Sequence, residues 1–354
     1  MVSGVRLKME VVTPLYMRGQ DSSENPLDAF RVPSLRGLAR FWFRALMGGV
    51  IGNTSQNLDC IERLEGQVFG STEQASLVQF RLEGIPRSRR GVIDRKSSGM
   101  SDMNYLAFSL RDRPAVPPGE SIVLVINVRP GVQGDIAQNG LGIVLGSLWL
   151  LTHLGGLGAR SRRGFGSVAV VNPVSYPPEL EKLPPFICED SEPERYASFL
   201  SSGIGRLANL YQEYARRMLG QKDWGESWSQ SARLPEYDIL ARRVARVRVS
   251  SDHFQSWEQA LSSLGGRLKR ARTRLSPTKR KIFGLPLPRV SSQRRSSPLL
   301  FKIVRFRSGE YGAVLTLFKA QFLEGSGTTD ADYADYGDID EFLNGIQGHE
   351  VQLP

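Results

Sequence analysis

The segment GGLGARSRRGFGS, from Gly155 to Ser167, gathers the residues of this chain best suited to hold a polyanion. Gly155, Gly156, Gly158, Gly164 and Gly166 permit tight turns and close backbone approach, while Arg160, Arg162 and Arg163 add fixed charge beside Ser161 and Phe165. Such a loop suits a phosphodiester backbone. It is not a Walker A loop, which needs Lys-Ser or Lys-Thr after the glycines and a helix behind them, whereas this segment opens onto a strand. Nor is it a dinucleotide fingerprint, because Ser161 stands where the third glycine belongs. The competing reading is a glycine-rich turn with incidental arginines.

A second basic patch lies upstream. On a helix, Arg36, Arg40 and Arg44 fall within about 80° of one another at 100° per residue. Phe43 and Met47 stand beside them, Ser34 takes the N-cap, and Leu35, Leu38, Phe41, Trp42, Ala45 and Leu46 form the opposite side. Three guanidiniums and a ring can grip phosphates and stack on bases. A solvated basic face is the alternative.

Catalytic groups are scarce. The histidines are His153, His253 and His349, and the cysteines, Cys60 and Cys188, lack metal-ligand spacing. His153 precedes the glycine-rich loop and is the one imidazole near it, so it is either the base of a metal-independent endoribonuclease or a packed core histidine. With no cofactor fingerprint, the expectation is a protein that is not an enzyme and uses neither cofactor nor metal.

The charge balance agrees with a polyanionic partner. The 354 residues carry 46 Lys and Arg against 36 Asp and Glu, a net +10. Eight of those acids and none of the basic residues follow Ala320, so residues 1–320 hold +18. Neutralising phosphates with such an excess releases counterions and drives association, although solubility alone also uses charge. Further basic residues cluster at Arg242, Arg243, Arg246 and Arg248, from Lys269 to Arg274, from Lys279 to Lys281 and at Arg294-Arg295. Two cysteines make no disulfide framework and MVSGVRLKME has no apolar signal core, so a reducing cytoplasm is expected. The longest apolar run, LGIVLGSLWLL, falls short of the ~20 residues that span a bilayer, and no membrane partner is expected.

The elements that must position these residues read as an α+β chain. Val5–Thr13 alternates as a strand, a helix runs from Leu35 to Met47, Leu77–Leu82 and Ile122–Val128 are β-rich, Gly142–Leu151 is a buried helix and Ser167–Val171 is a strand. That βαββαβ order is ferredoxin-like and RRM-like, with helices on one face of the sheet and the other face free for a ligand. Asn172–Pro193 reads as a linker or long surface loop, placing two domains at 1–174 and 175–354. The second half offers a helix at Ile204–Leu219, a strand at Val244–Val249, a helix at Trp257–Arg270 and strands at Leu300–Phe306 and Ala313–Phe318. Phe69-Gly70 before the Ser76 strand echoes Phe283-Gly284 before Ser297, a weak sign of duplication. The acids of Asp330–Glu341 do not fit a calcium loop and read as an acidic solvated tail.

LGGLGARSRRGFGSV resembles the signature loop of the repeat-associated mysterious proteins (RAMPs) of type III CRISPR effectors. VVTPLYMRG, VPSLRGLARFWFRALMGG and VFGSTEQASLV are similar to one RAMP family, the first subunit of the type III-B (Cmr) complex. The likeness covers most of residues 5–171 and extends more loosely through SWEQALSSLG, KIFGLPLP and RRSSPLLFKI. It implies two tandem ferredoxin-like RAMP domains and a non-catalytic RNA-binding subunit in an antiviral ribonucleoprotein. The implied partners are the 3′ part of the single-stranded guide RNA, target RNA and other RAMP subunits of the Cmr complex. Carried onto this chain, it implies RNA contact at Gly155 to Gly166 and at Ser34, Arg36, Arg40 and Arg44. RAMPs that process guide precursors place a histidine in the first helix region, and Leu35–Met47 has none, which argues against a processing nuclease.

Overall fold

The computed structural model describes residues 4–17, 30–52, 55–84, 86–93, 101–108, 110, 113–132, 134–172, 174, 176, 180–220, 234–287, 291–321 and 336–354. β1 (Val5–Val11) buries Val5, Leu7, Met9 and Val11 and exposes Arg6 and Lys8, the period of a strand with one face in the core. It pairs antiparallel with β3 (Ser121–Val128) and β4 (Val168–Val170), and β2 (Val78–Glu83) lies beyond β3. α1 (Val32–Ile51) and α4 (Gly134–Leu154) are the helices of the βαββαβ plan, with α2 (Ser55–Phe69) and α3 (Ser101–Leu106) inserted.

The second half repeats this plan. It runs β5 (Ala245–Ser250), α6 (Trp257–Thr273), β8 (Leu299–Arg305), β9 (Tyr311–Phe318), α7 (Gly337–Asn344) and β10 (Gly348–Glu350), with a hairpin of β6 (Leu285–Leu287) and β7 (Ser291–Arg295) inserted after α6. The sheets are ordered β2-β3-β1-β4 and β10-β5-β9-β8. Numbered within each half, both are 4-1-3-2, the tandem ferredoxin-like arrangement.

The sequence echo is a structural one. Gly70 and Gly284 both have positive φ, 88° and 117°, and a Cβ on either would crowd the backbone nitrogen of Ser76 or Ser297. Ser76 Oγ accepts from Val78 N at 3.2 Å and donates to Val78 O at 2.8 Å. Ser297 Oγ does the same with Leu299, at 3.2 and 3.0 Å. Each serine thus closes a turn two residues ahead of the equivalent strand, β2 or β8.

The halves share their interior. α5 (Pro193–Leu219) packs against α1 and α4 on one side and β5 and β10 on the other. The expected boundary at 174/175 therefore divides the topology but cuts through one continuous core, in which Leu7, Trp42, Trp149, Tyr211, Val247 and Phe318 all lie. Three sequence expectations need correction. Within the supposed linker, Leu180, Leu183 and Phe186 are buried and Trp149 Nε1 donates to Pro185 O at 2.8 Å, because the segment fills the angle between α4 and α5. The supposed acidic tail is in part folded: α7 and β10 complete the second sheet, and Asp340 and Glu350 hold Arg246, Arg248 and Lys319. Asp330 to Asp335 lie outside the described residues. Finally, the second sheet has no free face. α6 packs on one side of β8 and β9 while α4 packs on the other, so both strands are buried almost throughout.

Candidate nucleic-acid interface

The free face of the first sheet is polar, with Arg6, Lys8, Gln79 and Arg81 exposed. Arg6 and Arg81 share Glu83, at 2.6 and 2.7 Å. Among the described residues it presents no aromatic ring to a base, so the stacking mode of RRM sheets finds no platform among them. The chemistry lies instead at one end of that sheet, where the glycine-rich loop joins α4 to β4.

Two threads hold the loop. The segment after β1 holds it from one side: Ala159 N donates to Tyr16 O at 2.7 Å, Gly166 N to Pro14 O at 3.0 Å and Thr13 Oγ1 to Gly164 O at 2.7 Å. Gly158 has φ 75°, and a Cβ there would collide with the Tyr16 carbonyl. The edge strand β8 holds it from the other side, with Phe301 N donating to Arg162 O and Ile303 N to Ser167 Oγ. Gly155, Gly156, Gly164 and Gly166 are buried in this seam between the two sheets.

The loop arginines accordingly part company. Arg162 spans the halves: it donates to Asp238 at 2.8 Å and Ser297 O at 2.6 Å, and stacks over Phe41 at 5.4 Å. Arg163 is buried and donates to Phe283 O at 2.7 Å. Burial and the neighbouring guanidiniums of Arg272 and Arg160 push its pKa down to about 9, so it stays charged at neutral pH. Phe165 and Phe43 are fully buried, Phe165 at 6.0 Å from Tyr16 and Phe43 between Phe69 and Tyr211. The expectation that Phe43, Arg163 and Phe165 face an RNA is therefore corrected: the core and the seam take all three.

The α1 arginines also point elsewhere. Arg40 and Arg44 both bind Glu65 of α2, the latter at 2.9 Å, and Arg36 lies 5.5 Å from the Phe80 ring of β2. The loop meets the other side of α1, through Phe41 and Ser34. The loop and the α1 arginines thus lie on different sides of the helix. Ser34 is not the N-cap, since α1 starts at Val32 after the extended residue Arg31. It is exposed in the first turn.

What does converge is a cleft of about 260 Å³ lined by Tyr16, Met17, Ser34, Arg113, Pro114, Gly158 and Ala159. The first turn of α1 brings the positive end of its dipole there. Next to it, Arg160 holds φ 60°, a left-handed conformation costly for a side-chain-bearing residue and characteristic of functional sites. Burial and the charge of Arg272 from α6 lower its pKa, while Tyr105 opposes that shift. Arg272 stacks over Tyr105 at 5.8 Å, and its Nε is buried without a partner. Like charges gathered this way are stabilised by an anion. Sequence reasoning missed Arg113 and Tyr105, which come to the loop only through tertiary packing; Arg272 falls within the basic run from Lys269 to Arg274, but its place beside the loop is not readable from spacing.

His153 lies apart, on the far side of β4. It and Lys302 line a second cleft of about 300 Å³. Its Nδ1 is 2.9 Å from Tyr196 Oη, and burial, with Lys302 adding, pushes its pKa down to about 3. Lys302 donates to Val168 O at 2.6 Å and is itself pushed down to about 7 by burial.

Two ferredoxin-like units joined along a glycine-rich loop define a tandem RAMP architecture, and residues 8–169 match the RAMP superfamily. The CRISPR system Cmr subunit Cmr1-2 of Pyrococcus furiosus is 32% identical over 179 residues, 46% of this chain and 92% of that protein. Cmr1-1 of the same organism is 29% identical over 326 residues, covering 89% of this chain and 87% of its own length. The crystal structure of Cmr1 from Pyrococcus furiosus in its apo form matches with TM-score 0.67 at 25% identity, over 99% of this chain and 98% of that one. A chain of the cryo-EM structure of the Type III-B Cmr-beta bound to cognate target RNA shares the fold, with TM-score 0.61 at 13% identity, over 97% and 99% of the two chains. This chain belongs to the Cmr1 family of CRISPR system Cmr subunits.

Proposed function

We propose that this chain is a non-catalytic RNA-binding subunit of a type III-B Cmr ribonucleoprotein, which holds the 3′ part of the guide RNA and helps capture target RNA beside other RAMP subunits. The observation that carries this reading is the cleft of Ser34, Arg113 and Gly158, continued by Arg160 and Arg272. Backbone at a glycine, a helix N-terminus and guanidiniums are the groups that bind phosphate without reading a base. A homologous architecture in an assembly bound to cognate target RNA supports the same assignment.

A guide-precursor endoribonuclease built on His153 is the second reading, favoured by the nearness of Tyr196 and Lys302. Burial of that ring weighs against it, because a general acid and base for ribose 2′-OH attack must reach RNA and exchange protons near neutral pH.

The test is binding of labelled single-stranded RNA across a salt series, beside duplex DNA and the Arg160→Ala and Arg113→Ala variants. Salt-steep binding of intact RNA, weakened several-fold in each variant, is expected. Binding that ignores both substitutions sinks the cleft, and cut RNA returns His153 to consideration.

A further inference from the structure

We infer that the end of α6 and the 3-10 turn after it, Lys279–Phe283, form a second phosphate-binding track that carries single-stranded RNA from the glycine-rich loop across the second ferredoxin-like unit. The inference rests on the RNA-binding reading of the loop and extends it to a surface outside that cleft. Between Lys269 and Lys281 the chain has seven Lys and Arg and no acid. Several other basic residues of the second half are held internally: Arg246 and Arg248 by Asp340 and Glu350, and Arg295 by Asp238. Lys269 meets Asp102 at 3.2 Å. Arg270, Arg272, Arg274, Lys279 and Arg280 have no carboxylate partner among the described residues, and Arg270, Arg274 and Lys279 are exposed.

The track is continuous with the loop and has a fixed shape. Arg272 lies over the Phe283 ring at 5.9 Å, and the Phe283 carbonyl accepts from Arg163 at 2.7 Å, which joins α6 to the loop. Arg280 turns back to donate to Leu275 O at 3.0 Å and Thr273 O at 3.4 Å, so the turn is folded against the helix end. The helix C-terminus alone stabilises one or two cations in its last turn. It gives no reason for seven. Asp338 and Glu341 of α7 line the same groove as Arg270 and Arg274, and their charge repels a polyanion from α7 toward α6.

The experiment compares RNAs of ~6 and ~30 nucleotides, one within and one beyond the site size of a single such unit. Binding to the full chain is measured across a salt series with an Arg270→Ala/Arg274→Ala/Lys279→Ala variant, and melting confirms its fold. The expected result is unchanged affinity for the short RNA. The long RNA is bound at least ten-fold more weakly, with a salt slope shallower by about 2, near 0.7 for each lost phosphate contact. Rescue by Arg270→Lys/Arg274→Lys, which keeps the charge, supports the track. Unchanged affinity and slope for the long RNA overturn it, and if Arg160→Ala still weakens both RNAs the loop reading survives that failure. Wild-type protein that binds neither RNA overturns both. Lost association with the other Cmr subunits, with RNA binding intact, overturns the track by giving the surface to a protein.

Discussion

Arg160 and Arg163 stand three residues apart in one loop and do opposite things. Arg163 puts its guanidinium on the Phe283 carbonyl inside the seam, and Arg160 holds a left-handed backbone at the mouth of a cleft. Arg163→Met orphans a buried carbonyl, at a cost only partly offset by removing a desolvated charge. A loss of about 1–3 kcal/mol in urea melts is expected. Arg160→Gly relieves the φ of 60° but gains unfolded-state entropy, so stability should stay within about 1 kcal/mol while RNA affinity falls. Lys302 adds a pH signature. Between its native pKa of about 7 and the ordinary 10.5, the unfolded chain binds a proton that the native chain does not, so this group makes stability rise with pH across that window and imposes its full penalty below 7. Lys302→Met should flatten that rise and stabilise most at and below pH 7, read by thermal melts from pH 6 to 10. His153 works at lower pH: with a native value near 3 against 6.5, stability is lost as pH falls through that interval.

Elements with their own periodicity were legible from sequence. β1 alternates, and α4 is apolar on all sides because β3, β4, α1, α5 and the second sheet surround it. α2 and β10 were not. α2 is polar overall and buries a narrow stripe of Ile61, Leu64 and Val68, while β10 is Gly-His-Glu and owes its strand conformation to pairing with β5. Helical periodicity puts Arg36, Arg40 and Arg44 on one face of α1, but Glu65, the partner of Arg40 and Arg44, sits on α2, where one-dimensional spacing cannot find it. The serine turns show the converse. Ser76 and Ser297 lie far apart in sequence yet meet the same atoms at the heads of β2 and β8. Ser76→Ala and Ser297→Ala each leave a strand-head amide without its acceptor and should cost about 1–2 kcal/mol by chemical denaturation. A cost at only one of them would argue against equivalent turns.

For the whole molecule, the repeated 4-1-3-2 sheets suggest two separable domains, and the packing contradicts separability. Phe41 and Trp42 of α1 meet Phe318 of β9 at 6.1 and 6.0 Å. Gly203 of α5 lies so close to Trp149 of α4 that a Cβ would collide with the indole, and Leu240 N donates to Ala45 O at 2.8 Å. Arg162, Arg163, Ser167 and Val168 tie the loop and β4 to the second half through hydrogen bonds. A fragment ending at residue 174 would strip α5 from α4 and β8 from the loop. It would uncover Trp42 and Trp149, each worth about 1.5–3 kcal/mol or more when buried, against a net stability for a domain of about 5–15 kcal/mol. Residues 1–174 expressed alone should therefore be molten or insoluble, with slow tumbling, exposed apolar surface and no cooperative melt. The full chain should unfold in one transition by both far-UV circular dichroism and tryptophan fluorescence. Two separated transitions, or a fragment with a sharp melt of its own, would show that each sheet keeps its own core and that the seam is only an interface.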